Sequence, residues 1–243
     1  ADSQVVEIEI VNKYVRGNIH LTKVDSEYPD NKLTGATFEV YKDSNANGKL
    51  DDGDELLGTL TEKEIGSYEM KDLFYGRYFV KETKAPEGYL LDETAYYVEI
   101  TENGKIYEVE NEAGKGFVNA AQTGSLRIEK TSSDGKVEGF SFRVTGANGY
   151  DQTFKTDSAG KIEITGLRVG DYTVSEVSDN ASANYVLPAD KTVTIFADKT
   201  TVAQMHNELR DTPKTGDESK PWLWMTLMGV SAAGAAVLGI AAY

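Results

Sequence analysis

The chain contains no cysteine. No disulfide can reinforce it, so in an extracellular setting either its hydrophobic cores suffice or another kind of cross-link is present. Basic residues are scarce beside acidic ones, with Lys+Arg 25 against Asp+Glu 40 and a formal charge of −15. That balance excludes a nucleic-acid partner, which needs a basic surface. It predicts a soluble, self-repelling surface and names no ligand. No secretory signal opens the chain, because Ala1–Gln4 is polar and Val5–Val11 already reads as a strand. A catalytic-cleft signature is also missing.

What is present favours strands. Tyr 14 and Gly 23 accompany many short runs of Val, Ile and Thr, and 243 residues give room for two ordinary domains. The stretch Phe117–Lys130, FVNAAQTGSLRIEK, closes one unit and opens the next. A similar junction lies at Ile8–Lys23, and half of one recurs at Ala203–Leu209. The repeat divides the chain into residues 1–16, the last strand of a preceding module; 17–121, a first sandwich; 124–209, a second; 210–221, a polar tether; and 222–243, a hydrophobic segment. The chain thus reads as the carboxyl-terminal part of a longer protein.

Strands are expected at Asn18–Val24, Thr37–Lys42, Gly66–Met70, Gly76–Glu82, Ala95–Ile100, Ile106–Glu110 and Gly116–Asn119 in the first module. The second has them at Ser125–Lys130, Ser141–Thr145, Asp151–Lys155, Lys161–Thr165, Gly170–Val177, Thr192–Phe196 and Thr201–Leu209. Their lengths and glycine-bearing turns suit antiparallel sandwiches. Trp222–Tyr243 carries no charge, and its 22 residues as a helix would span about 33 Å, enough for a bilayer core. Trp222 and Trp224 sit at one edge, where aromatic rings favour the headgroup region. A membrane-spanning helix is therefore expected there.

An acidic insertion, DSNANGKLDDGD, interrupts the first module at Asp43–Asp54. Asp43, Asn45 and Asn47 offer side-chain oxygens at alternate positions, Gly48 permits a sharp bend, Lys49 can offer its carbonyl, and Asp54 closes the loop. The spacing is that of an EF-hand-type Ca2+ loop with Asp in place of the final Glu, and Glu55, Asp51 or Asp52 could share the closing role. A solvated acidic hairpin loop needs only the Asn and Gly residues, and both readings stand.

Parity raises a chemical question. Ile19, Leu21 and Lys23 share one side of a strand, as do Tyr78, Val80 and Glu82, and Phe117 and Asn119. The second module repeats the pattern with Leu126, Ile128, Lys130; Tyr172, Val174, Glu176; and Met205, Asn207, Leu209, and Ile8, Ile10, Asn12 repeat the last element. A lone buried lysine or glutamate is expensive, so these groups are expected to meet. Burial would lower the lysine pKa and raise that of the glutamate. A neutral lysine amine can then attack an Asn carboxamide whose oxygen is hydrogen-bonded by a protonated Glu. The expected reactions join Lys23 to Asn119, assisted by Glu82, and Lys130 to Asn207, assisted by Glu176, each releasing ammonia. The alternative is a buried Lys–Glu ion pair with Asn as a hydrogen-bond partner. His20 and His206 fall on the opposite faces and read as ordinary strand-surface residues.

The residues that carry this chemistry resemble a known family. YFVKETKAPEGY (Tyr78–Tyr89) resembles the glutamate-containing box of Gram-positive pilins and of collagen-adhesin B-type (CnaB, SpaA-like) repeats. HLTKVD (His20–Asp25) and FVN (Phe117–Asn119) match that family's lysine and asparagine strands. The second module keeps RIEK (Arg127–Lys130) and MHN (Met205–Asn207), while its middle box, YTVSEVSDNASANY (Tyr172–Tyr185), lacks the Ala-Pro-x-Gly turn. The resemblance implies an all-β fold of tandem immunoglobulin- or transthyretin-like sandwiches, each with a Lys–Asn isopeptide bond aided by Glu.

TPKTG (Thr212, Pro213, Lys214, Thr215, Gly216) resembles the LPxTG sorting motif with Thr in place of Leu. This implies cleavage by a sortase between Thr215 and Gly216 and transfer to peptidoglycan or a pilin subunit, with residues 222–243 only transiently in the membrane. No basic tail follows the hydrophobic span. The expected role is a structural stalk on the Gram-positive cell wall, holding an amino-terminal region that meets any host ligand. The alternatives are an adhesive module that binds a host matrix protein or glycan directly, and a minor or basal pilin subunit. Turnover catalysis is not expected, because the one reactive constellation consumes itself.

Overall fold

The computed structural model describes residues 12–210. In the first strand, β1 (Arg16–Asp25), Gly17, Ile19, Leu21 and Lys23 are buried while Asn18, His20 and Thr22 are only partly so, the two-residue period of a strand with one face on a core. The chain continues through β2 (Thr37–Lys42), β3 (Glu55–Thr59), β4 (Thr61–Glu64), β5 (Ser67–Phe74), β6 (Gly76–Lys84), β7 (Ala95–Ile100), β8 (Ile106–Glu108) and β9 (Phe117–Asn119). One sheet has the order β4-β5-β1-β8, with β9 also on β1, and the other β3-β2-β6-β7. Between them pack Ile19, Leu21, Phe38, Val40, Tyr68, Val80, Ile100 and Phe117, each contributing about 2 kcal/mol through burial.

A second sandwich repeats the plan with β10 (Thr123–Ser132), β11 (Ser141–Gly146), β12 (Asp151–Lys155), β13 (Lys161–Arg168), β14 (Gly170–Glu176), β15 (Tyr185–Val186), β16 (Lys191–Ile195) and β17 (Thr200–Leu209). Its sheets run β13-β10-β17-β15 and β12-β11-β14-β16. The repeat extends to a local irregularity. The register slips between Gly17 and Ile19 in β1, and between Gly124 and Leu126 in β10. Both positions require glycine: a Cβ on Gly17 would lie 2.8 Å from Ile100 Cγ2, and one on Gly124 would lie 2.2 Å from the Phe196 carbonyl.

First and last strands of each sandwich are parallel neighbours. β17 pairs with β10 without interruption from Ser125↔Thr200 to Ser132↔Asn207. In the first sandwich the equivalent edge is split: β8 pairs with Asn18–His20, Val109 N–H still donates to the His20 carbonyl (2.8 Å), residues 110–116 leave the sheet, and β9 returns opposite Lys23–Asp25. Parallel closure puts the two chain ends of a sandwich at opposite poles, so tension along the chain loads this ladder in shear.

The residues joining the sandwiches have little freedom. Ala121 bridges Tyr89, Leu90 N–H donates to the Ala120 carbonyl (2.9 Å), and Gln122 N–H donates to the Gly88 carbonyl (2.8 Å). From the second sandwich, Val169 N–H donates to the Gln122 carbonyl (3.0 Å), and the Arg168 guanidinium holds both carboxylate oxygens of the fully buried Asp25. Asp25 also accepts from the Tyr89 hydroxyl (2.7 Å) and from the backbone of Glu27 and Tyr28.

One expectation is corrected. Among the described residues every regular element is a strand except the 3-10 turn Ala147–Gly149, and no helix is long and apolar enough to cross a membrane. The fold is all-β tandem sandwiches, and the carboxyl-terminal membrane-spanning helix is withdrawn from it. An uncharged run meets a length condition without specifying a helix, and Gly229, Gly234 and Gly239 each cost about 1 kcal/mol of helix propensity against alanine. Residues 222–243 lie outside the described residues, as do the sorting motif Thr212–Gly216 and the strand expected at Ile8 and Ile10. Three short strands were not expected, β3, β4 and β15. The first two are mostly exposed, so no buried face imposes an alternation.

Candidate functional site: two buried Lys–Glu–Asn clusters

The same register builds both clusters. Lys23 lies opposite Phe117 in the β1–β9 ladder, and Asn119 is two residues further along β9. Lys130 lies opposite Met205 in the β10–β17 ladder, and Asn207 is again two residues on. Across the core, Glu82 of β6 pairs with Phe38, and Glu176 of β14 pairs with Phe142. Strand period places each lysine and asparagine on the inner face, and all six side chains are buried.

In the first cluster Lys23 Nζ donates to the Phe117 carbonyl (3.1 Å) and lies 5.5 Å from the Phe117 ring centroid. Rings of Phe38 and Tyr96 meet Phe117 edge-on, so the ammonium is walled by hydrocarbon. Desolvation lowers its pKa from 10.5 to about 8, a fall that the Glu82 charge partly offsets. The same burial raises the Glu82 pKa, against hydrogen bonds from the Asp92 amide and Asn119. Asn119 Nδ2 donates to both Glu82 oxygens (3.0 and 2.9 Å), while Asn119 Oδ1 is buried with no partner.

The second cluster is similar with looser pairing. Asn207 Nδ2 donates to Glu176 Oε1 (2.7 Å), and Asn207 Oδ1 and Glu176 Oε2 have no partner. Lys130 Nζ donates to the Thr131 carbonyl and sits 4.2 Å from the Phe140 ring centroid. Burial lowers the Lys130 pKa and raises that of Glu176.

A family model described as "SpaA: Prealbumin-like fold domain" matches residues 17–115 and again 124–209. The chain belongs to the SpaA family. Its two SpaA modules are domains of the extracellular, cell-wall-associated, pilin-like surface protein family. Among solved structures, the Bacillus anthracis TIE protein is 26% identical with a TM-score of 0.60, over 79% of this chain and 34% of that one. The chain thus spans about a third of that relative. GBS52, the minor pilin of Streptococcus agalactiae, is 20% identical with a TM-score of 0.38, over 83% of this chain and 100% of that one. The pilus adhesin SpaC of Lactobacillus rhamnosus GG is 15% identical with a TM-score of 0.47, over 82% and 32%. No curated protein matches the chain significantly in sequence.

In the first SpaA module the acidic insertion folds on itself between β2 and β3. The Asp43 carboxylate accepts from the amides of Asn47 and Gly48 (both 3.1 Å), and Asp54 accepts from those of Ser44 and Asp51 (both 3.0 Å). Asn45 and Asn47 donate their side-chain nitrogens to Asp51 and turn their oxygens to backbone N–H groups, that of Lys49 among them. Asp51 is therefore the hub of the loop's side-chain hydrogen bonds. Among the described residues no group of three or more acidic, histidine or cysteine side chains stands ready to hold a metal. His20 bonds Glu108 and Ser67, and His206 bonds Thr131 and Glu208, all away from the clusters.

Several residues around the SpaA clusters were not anticipated. Asp25 follows Lys23 at the next inward position and is buried by the same parity, a signal present in HLTKVD. Its partner Arg168 lies 143 residues away, beyond any local pattern. Asp92 and Asn111 sit in irregular segments, where no period marks them.

Proposed function

We propose that the chain is a wall-proximal stalk whose two SpaA modules each lock themselves with a Lys–Asn isopeptide bond. The observation that carries this reading is the repeated register, with Asn two residues beyond the lysine's partner and Glu facing a phenylalanine in both modules. In the reactive state the lysine is neutral and the glutamate protonated, the distribution that burial of both favours. Rotating the Asn119 amide by half a turn brings its unpartnered Oδ1 onto the Glu82 hydroxyl, which polarises the carbonyl.

Lys23 Nζ then attacks Asn119 Cγ, one Nζ proton passes through Glu82 to the departing nitrogen, and ammonia leaves. The Lys Nζ–Asn Cγ bond replaces the Cγ–Nδ2 bond, and Glu82 ends protonated as it began. Proximity supplies much of the rate. The bond would join the end of β1 to the end of β9, so force would cross the module without loading the parallel ladder.

Digestion should yield a branched peptide joining the Lys23 and Asn119 segments, and a second joining Lys130 and Asn207. Linear peptides alone, from folded protein, would refute the reading.

Anchoring rests on TPKTG. A sortase would break the Thr215–Gly216 amide and pass the Thr215 carboxyl to an amine of peptidoglycan or a pilin subunit. Mature protein ending at Thr215 in a wall digest is the expected product. We also propose Ca2+ as a ligand of the Asp43–Asp54 loop, because each Asp43 and Asp54 oxygen keeps a lone pair beyond its backbone hydrogen bond.

A further inference from the structure

The first module's electrophile sits on an unusually weak support. β9 is three residues long, and the chain leaves the sheet between β8 and β9, whereas Asn207 lies in the ten-residue β17 with an unbroken ladder to β10. One side of β9 pairs with β1. On its other side no strand among the described residues pairs with Val118. Instead the Asn111 side chain takes both backbone groups, with Val118 N–H donating to Asn111 Oδ1 (2.7 Å) and Asn111 Nδ2 donating to the Val118 carbonyl (2.8 Å). A carboxamide here does the work of a neighbouring strand's peptide group.

Asn111 is held in turn. Its Nδ2 also donates to Asp92 Oδ2 (2.9 Å), which accepts from the Tyr96 hydroxyl (2.7 Å) as well, while Asp92 Oδ1 accepts from the Thr94 amide (3.0 Å). The Asp92 backbone N–H donates to Glu82 Oε2 (3.0 Å). One residue therefore touches the proton carrier through its backbone and, through Asn111, the strand that bears the electrophile.

We propose that Asp92 and Asn111 are positioning residues for the Lys23–Asn119 reaction, fixing β9 and Glu82 in one frame so that Asn119 Cγ stays within reach of Lys23 Nζ. This rests on the isopeptide reading above. It also explains why the second module has no matching pair: β17 is held as a continuous strand between β10 and β15. Burial works against the charge of Asp92, but hydrogen bonds from Asn111, Tyr96 and Thr94 outweigh it and keep the group ionised, and that charge further raises the Glu82 pKa.

The second module serves as an internal control. Freshly synthesised full chains are followed by intact mass, with peptide mapping to assign each ammonia lost. In Asn111→Ala the first-module bond should form about tenfold more slowly or worse, since small misplacement of reacting groups is costly, while the second forms at the wild-type rate. Asp92→Asn retains acceptor oxygen for Tyr96 and Asn111 and the same backbone amide to Glu82, so it should recover most of the rate; Asp92→Ala should not. To separate positioning from folding, each variant is also made with Lys23→Ala, and its melting temperature should stay close to that of Lys23→Ala alone. If the wild type loses no ammonia, the isopeptide reading itself fails. If it loses two and Asn111→Ala keeps the wild-type rate in the first module, the positioning role is overturned. A rate loss that appears equally in both modules would also overturn it.

Discussion

Arg168 of the second module grips both carboxylate oxygens of Asp25 in the first, with Nη2 2.8 Å from Oδ1. Asp25 is fully buried and Arg168 nearly so. Hydrogen bonds from Arg168, Tyr89 and two backbone amides outweigh desolvation and hold the Asp25 carboxyl well below the usual carboxylate range.

Breaking this pair strands a buried charge. Arg168→Met should destabilise the protein by about 3 kcal/mol, measured by calorimetry, and Arg168→Met with Asp25→Asn should recover part of the loss. Because the folded pKa is depressed, the stabilisation is present above the unfolded value of about 4 and drains away as pH falls further. The acid limb of the stability curve should therefore flatten in Arg168→Met. An unchanged melt and acid limb would show that the junction is not held there.

Removing either end of a cross-link should cost its loop-closure contribution, on the order of 4 kcal/mol for a loop of roughly 100 residues. Lys23→Ala, Glu82→Ala and Asn119→Ala should each lose one ammonia instead of two, relative to their own sequence mass, and unfold on the order of 15 °C lower. Three variants with wild-type mass loss would remove Lys23, Glu82 and Asn119 from the reaction.

The rate of bond formation should be bell-shaped in pH. The reactive pair, neutral amine with protonated acid, holds the same number of protons as the ion pair. The rate is flat while that one proton is shared, falls in acid as the pair gains a second, and falls above about 8 as the pair loses the shared one. Mass measured against time in freshly made chain from acid to alkaline pH checks this. A rate that climbs steadily beyond pH 9 would contradict a role for protonated Glu82.

Calcium should raise the melting temperature of the first module and chelation should reverse the rise, both effects vanishing in Asp43→Ala. Equal melting with and without the ion would leave Asp43–Asp54 as a loop closed by its own hydrogen bonds.

Parity was enough to place Lys23, Glu82 and Asn119 inward, because a strand with one buried face gives each residue a side. It could not say that Lys23 and Asn119 would lie on adjacent parallel strands, since sheet order depends on the whole chain. β3 and β4 escaped because exposed edge strands need no alternation. Asn111 was illegible for another reason: it replaces a strand by shape and hydrogen bonding from within a loop. Trp222–Tyr243 shows the opposite limit: an apolar run satisfies a length condition without specifying a helix, and no membrane-spanning helix is found among the described residues.

The most direct measurement is the intact mass of the folded, full-length protein, before and after denaturation. Self-locking of both modules predicts a mass lower than the sequence by two ammonia molecules, unchanged on unfolding. A folded protein at its full sequence mass would contradict the account.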